Sequence, residues 1–163
     1  MGPLGAPYVN AAQLPNYLPA AAVNLGTPAQ QAQACLDATE EADSYLRGRY
    51  GNGTGQPFII DAWGNDVTRY TAYIAIYLLL SGSIGFAPQA GADSNITTNY
   101  YRAVGWPDRP GSGWFPGVQR QAIHPDITPQ IPIGQNPNSD VPQVFTAPQR
   151  GWTNRSRNPQ RVG

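Results

Sequence analysis

Reactive side chains are scarce in this chain, which holds one histidine, one cysteine and no lysine in 163 residues. His124 stands two residues before Asp126, a spacing from which a carboxylate can orient an imidazole. Acid–base or metal chemistry there needs further ligands that the surrounding sequence does not supply, so His124 reads as a loop residue. Asp37, Glu40, Glu41 and Asp43 are the one carboxylate cluster, and the helical pattern around them places them on a solvated face. Cys35 sits beside Leu36 in an amphipathic stretch with no base nearby, where a thiol behaves as a small hydrophobe. The glycines of GRYGNGTGQP, residues 48–57, lack the Lys-Ser/Thr ending of a phosphate-cradling loop and read as a connection. The expectation is a chain that is not an enzyme, with no catalytic residue, no metal site and no cofactor.

The chemistry that remains is that of contact. Residues 124–163 carry seven prolines and four of the ten arginines, Arg150, Arg155, Arg157 and Arg161, all of them after the last acid, Asp140. Such a segment buries too little apolar surface to offset its ordering entropy alone. It either stays loose or is ordered by lying on another surface, with Phe145 and Trp152 as anchors and the guanidinium forks pairing with carboxylates if the partner is protein. Residues 1–140 hold six arginines against ten acids, so an acidic body precedes a basic tail.

The elements that must carry these residues are few. Gly (18) and Pro (17) exceed a fifth of the chain, so regular structure is confined to islands. Asn10 caps a short helix through Leu18, limited by Pro15 and Pro19. Thr27-Pro28 starts a long helix whose apolar face is Ala32, Cys35, Leu36, Ala42, Tyr45, Leu46, Arg49 and Tyr50. Asp61 caps a second long helix from about Ala62 to Ser81, with Trp63, Val67, Tyr70, Ile74, Tyr77 and Leu78 on one stripe. Asp93 to Val104 forms a third, and Trp114 to Ile123 a short turn broken at Pro116 and Gly117. No alternating pattern lasts long enough to mark a strand. The predicted fold is all-α: a small bundle of two long and two or more short helices, with an N-terminal arm (1–8), a body (9–123) and an extended tail (124–163).

One cysteine excludes an intramolecular disulfide, and the first 30 residues lack a secretory signal pattern, so synthesis inside the cell is expected. Residues 70–87 run 18 positions without a charge, near the roughly 20 that span a bilayer. Three tyrosines and the Ser/Gly cluster at 81–85 favour a buried core helix instead.

Leu36 to Tyr50, LDATEEADSYLRGRY, resembles the signature helix of small proteins from the head–tail joining region of Mu-like phages and prophages. Tyr8-Val9-Asn10 with Gln13-Leu14 is similar to that family's start, VTRYTAYIAIYLL (67–79) to its central helix, and NYYRAV (99–104) to its last. The long GNGTGQPFIIDAW connection, the WPDRPGSGW insertion and the 40-residue tail depart from the pattern. The resemblance implies a head–tail connector, also called an adaptor or head-completion protein, in the neck of the virion. Its implied partners are the portal protein, neighbouring copies in a ring that is commonly dodecameric, tail or tail-terminator and stopper proteins, and transiently the DNA in the channel. No membrane contact is implied. An extended 40-residue tail reaches on the order of 100 Å at about 3.1 Å per residue. Phe145, Arg150, Trp152, Arg155, Arg157 and Arg161 are the candidate contacts to portal or neighbour, and Trp106, Trp114, Phe115 and Arg120 the inter-subunit candidates, with aromatic surface around them free in a monomer.

Two other functions fit parts of the sequence. A DNA-contacting accessory virion protein would use the tail arginines, with a steep loss of affinity in salt. A membrane-inserting lysis factor would use residues 70–87.

Overall fold

The computed structural model describes residues 6–18, 26–50, 60–81, 86–89 and 91–129. The chain divides into two compact units, Met1–Gln130 and Ile131–Gly163, and every described residue belongs to the first. That unit is a small all-α bundle of five helices among the described residues, with a two-stranded ribbon beside them.

A 3₁₀ helix, Ala11–Tyr17, opens it. Asn10 and Gln13 form a reciprocal box: the Asn10 side chain accepts the Gln13 amide at 3.1 Å and the Gln13 side chain accepts the Asn10 amide at 2.9 Å. Leu14 is fully buried, and the helix stops at Leu18 as expected.

Helix α1, Pro28–Tyr50, begins where Thr27-Pro28 predicts, with a second box in which Gln30 accepts the Thr27 amide at 2.8 Å. Its inward face is Ala34, Cys35, Ala38, Thr39, Ala42, Asp43 and Leu46. Alanines at 34, 38 and 42 fall at four-residue spacing, small enough for a neighbouring helix to approach closely. Ala32, expected on this face, is exposed, and Asp43, expected in solvent, is inside. The stripe is rotated relative to the sequence reading because it follows the small residues rather than the polarity of each position.

Asp61 does not cap a helix. Residues Ile60–Trp63 form strand β1, paired antiparallel with β2, Ile127–Pro129, in the register Ile60 to Pro129, Ala62 to Thr128 and Trp63 to Ile127, with a bulge at Asp61. The Gly64 amide donates to the Asp126 carbonyl at 2.7 Å, extending the pairing by one bond. Pairing with a distant segment overrides the local helix-start signal, and helix α2, Asn65–Ser81, starts only after it. The ribbon also carries the folded body past residue 123, where the sequence reading ended it.

Helix α2 packs against α1, α3 and the 3₁₀ helix and is the centre of the bundle. Val67, Thr68, Thr71, Ala72, Ile74, Ala75 and Ile76 are buried, while Leu78, expected on the core stripe, is exposed. No helix among the described residues is long and apolar enough to cross a membrane.

Helix α3, Gly91–Val104, buries Ile96, Thr97 and Ala103. Gly105, at φ +103°, ends it, and a loop returns to Gly113, whose backbone lies against the α3 terminus.

Helix α4, Trp114–Gln119, is not broken by Pro116 and Gly117. Pro116 is its third residue, where the missing amide hydrogen has no intrahelical partner to lose. Five consecutive residues, Trp114 to Val118, are buried, so α4 is a plug packed on α1 and α3.

Candidate functional site

The four carboxylates of α1 are distributed rather than clustered. Asp43, 3% exposed, accepts the Tyr8 hydroxyl hydrogen and lies 3.8 Å from the Arg47 guanidinium. Burial pushes its carboxyl above the usual range, opposed by the Tyr8 bond and the Arg47 charge. Glu41 is half-buried and accepts the Tyr100 hydroxyl at 3.3 Å, and burial raises it as well. Asp37 stays exposed and accepts the Gln33 side-chain amide at 2.7 Å. The solvated face of the sequence reading therefore survives at Asp37 and is corrected at Asp43. No group of three or more His, Cys, Asp or Glu residues could hold a metal ion among the described residues.

Tyr8 is held at every polar group it has. Its amide donates to Thr39 Oγ1 at 3.1 Å, its carbonyl accepts Trp63 Nε1 at 3.2 Å, its hydroxyl reaches Asp43, and its ring meets Trp63 edge-on at 5.0 Å. Burial, and next the bond to Asp43, push the phenol far above its ordinary range, so it remains a donor at neutral pH. Tyr8 thus belongs to the body, not to an arm.

His124 is not oriented by Asp126. Its Nδ1 lies 2.6 Å from the Arg49 guanidinium, which also donates to the carbonyls of Val118 (3.3 Å) and Ile123 (2.5 Å). Arg49 thereby latches α1 to the exit of α4. Cys35 is buried, and burial pushes its thiol up to about 11, far from a reactive thiolate. The glycines at 51–55 lie outside the described residues.

Among the described residues a groove of about 570 Å³ opens between the 3₁₀ helix, α2 and α3. Arg69 and Tyr73, four residues apart, line it from α2. Asn95, Thr98, Asn99 and Arg102, at helical spacing, line it from α3, and Asn16 and Tyr17 complete it. The Tyr17 and Tyr73 rings meet edge-on at 6.3 Å.

The six arginines among the described residues separate into two classes. Arg47 lies near Asp43 and Arg109 near Asp108, while Arg49 and Arg120 donate to backbone carbonyls. Arg69 and Arg102 have no carboxylate within 4.0 Å among the described residues, and both line the groove. Arg102 donates to Asn99 Oδ1 at 3.2 Å, which aims part of its fork along the α3 face.

No protein-family model, curated protein or solved structure matches this chain. Function must therefore be argued from the arrangement itself.

Of the residues singled out in the sequence, Trp114 and Phe115 are in the chain's own core, 8% and 0% exposed. Trp114 stacks on Tyr70 at 4.7 Å and Phe115 on Tyr45 at 5.8 Å, so neither offers the free aromatic surface expected of it. Trp106 is exposed at 37%, resting on Tyr101 at 5.1 Å. The Arg120 guanidinium bonds the carbonyls of Gly111 and Pro116 of its own chain. Phe145, Arg150, Trp152, Arg155, Arg157 and Arg161 lie outside the described residues. The sequence reading missed Arg69, although the sole cation of the central helix and the Asn95-Asn99-Arg102 stripe were both visible signals.

Proposed function

We propose that this chain is a non-catalytic assembly protein, a head–tail connector of the kind found in Mu-like phages and prophages. In this reading copies form a ring, commonly dodecameric, which docks on the portal in the virion neck and joins the DNA-filled capsid to the tail. The C-terminal segment with Phe145, Trp152 and the four arginines engages the portal or a neighbour.

The observation that supports the reading is the work done by the run that carries the resemblance. Within Leu36 to Tyr50, Thr39 and Asp43 hold the N-terminal segment, Glu41 bonds α3, Tyr45 stacks on α4, and Arg49 latches the chain after α4. A run engaged in this way holds neighbouring elements together. It suits a protein whose task is to hold a shape between two larger bodies, and an acidic body suits a channel through which DNA passes without sticking.

The test is co-assembly. Full-length protein mixed with the adjacent portal is expected to give a complex whose mass corresponds to a closed ring of copies on the portal. Protein lacking residues 141–163 is expected to keep its helical circular dichroism and to lose docking. Full docking by the truncated protein refutes the role given to the tail, and a strictly monomeric chain in the presence of portal refutes the connector.

A further inference from the structure

We propose that the groove between the 3₁₀ helix, α2 and α3 docks an extended acidic peptide segment of a partner protein, whose carboxylates are held by Arg69 and Arg102. The proposal is independent of the connector reading.

Charge carries the first step. The described residues hold six arginines and nine acids, so internal carboxylate partners are plentiful. The other four arginines bond carbonyls or lie near acids of the chain, and the two without a carboxylate come from different helices to line one groove. A guanidinium presents a planar fork that matches a carboxylate in two parallel bonds. Two such forks on one groove select a ligand with two acidic groups rather than one.

The rest of the lining identifies the ligand as peptide. Asn16 and Asn95 each combine an amide donor with a carbonyl acceptor, the pair that an extended backbone offers in reverse, and Asn99, whose Oδ1 accepts from Arg102, adds an amide donor. The groove, about 570 Å³, is open to solvent rather than enclosed, as a segment entering from outside the chain requires. Nucleic acid fits less well. It presents a phosphate at every nucleotide along its length, whereas only two arginines line the groove, so the contacts from which its affinity derives would be few.

The experiment uses the full chain and a fluorescent blocked heptapeptide of alternating Glu and Gly, read by anisotropy at low salt. Saturable binding is expected, weakened about tenfold or more by Arg69→Gln and by Arg102→Gln and lost in the double variant. Arg109→Gln, whose side chain is exposed and away from the groove lining, is expected to bind as the parent does. The same peptide with Gln for Glu is expected not to bind. Both groove arginines are exposed, so the variants are expected to keep the parent circular dichroism. Absence of saturable binding overturns the proposal. So does undiminished binding by the double variant, which would assign the peptide to the tail arginines. An eight-residue oligothymidylate that binds more tightly than the peptide and is lost in the double variant would make the groove a nucleic-acid site instead.

Discussion

Replacing Tyr8 by Phe tests the fastening at the heart of the body with the loss of a single oxygen. The ring keeps its edge-on contact with Trp63, and the backbone bonds to Thr39 and Trp63 are untouched, so the hydroxyl bond to Asp43 is what disappears. A hydrogen bond to a charged group contributes about 1.5–3 kcal/mol. Asp43 is 3% exposed, so water does not replace the lost donor, and Arg47 stands 3.8 Å away on a side chain that is 54% exposed and well screened. The expected loss is therefore about 2–3 kcal/mol at neutral pH. For a body of about 120 residues this lowers the melting temperature by on the order of 10 °C.

The loss also has a pH signature. Burial already raises the folded Asp43 carboxyl above its unfolded value, so its contribution is fully present below the unfolded carboxylate range and declines as pH rises through the raised value. The Tyr8 bond lowers that carboxyl, and removing it raises the carboxyl further. The penalty of Tyr8→Phe must then be largest near neutrality and shrink as pH falls through the raised value, where the carboxyl takes up its proton with or without its donor. Urea unfolding of both proteins across this range measures it. In an Asp43→Asn background, which keeps an acceptor without the charge, Tyr8→Phe is expected to cost only about 1 kcal/mol. A loss below about 0.5 kcal/mol at pH 7, or one that does not change with pH, refutes the account of a buried, hydrogen-bonded carboxylate.

Two further outcomes follow from the packing. Arg49→Ala is expected to cost about 1–3 kcal/mol by leaving the Ile123 carbonyl without its donor, the Val118 carbonyl keeping the Gln121 amide at 2.9 Å, and Arg49→Lys is expected to restore little because a point ammonium cannot span two carbonyls and an imidazole. Chemical unfolding of the two variants checks this. Gly113→Ala places a methyl group 2.2 Å from the Gly105 nitrogen and 2.5 Å from the Val104 carbonyl carbon. Both are backbone atoms that cannot rotate away, and φ −78° at Gly113 suits any residue, so the effect is steric. A loss of about 3 kcal/mol or more, with α4 detached from α3, is expected in thermal melts.

The sequence was most legible where local chemistry settles structure. Asn10 and the Thr27-Pro28 pair announce their helices because a cap is a short-range bond, and α3 shows itself by Asp93, a carboxylate in the first turn that also accepts the Ala87 amide at 2.8 Å. Ile60–Trp63 was not legible, since a four-residue strand gains its bonds from a segment more than sixty residues away and carries no pattern of its own. Asp43 shows a different failure. Its position, four residues after Thr39 and three before Leu46, marks it as inward, and its residue type argues the opposite; the hydroxyl of Tyr8 decides the matter from outside the helix. The groove was half legible. The α3 stripe of Asn95, Asn99 and Arg102 is a matter of spacing, but its meeting with Arg69 depends on how α2 and α3 pack.

The small ribbon has a mechanical consequence. Because β1 and β2 run antiparallel, Ile60 and Pro129 stand opposite each other at the same end, so tension on the chain beyond Pro129 meets the rungs singly and peels them like a zipper. A bulge at Asp61 leaves the first rung poorly backed. Once peeling reaches Ile127 it frees Trp63, the same indole that grips the carbonyl of Tyr8. A tug on the chain after Pro129 is thereby transmitted, through one indole, to the Tyr8 clasp.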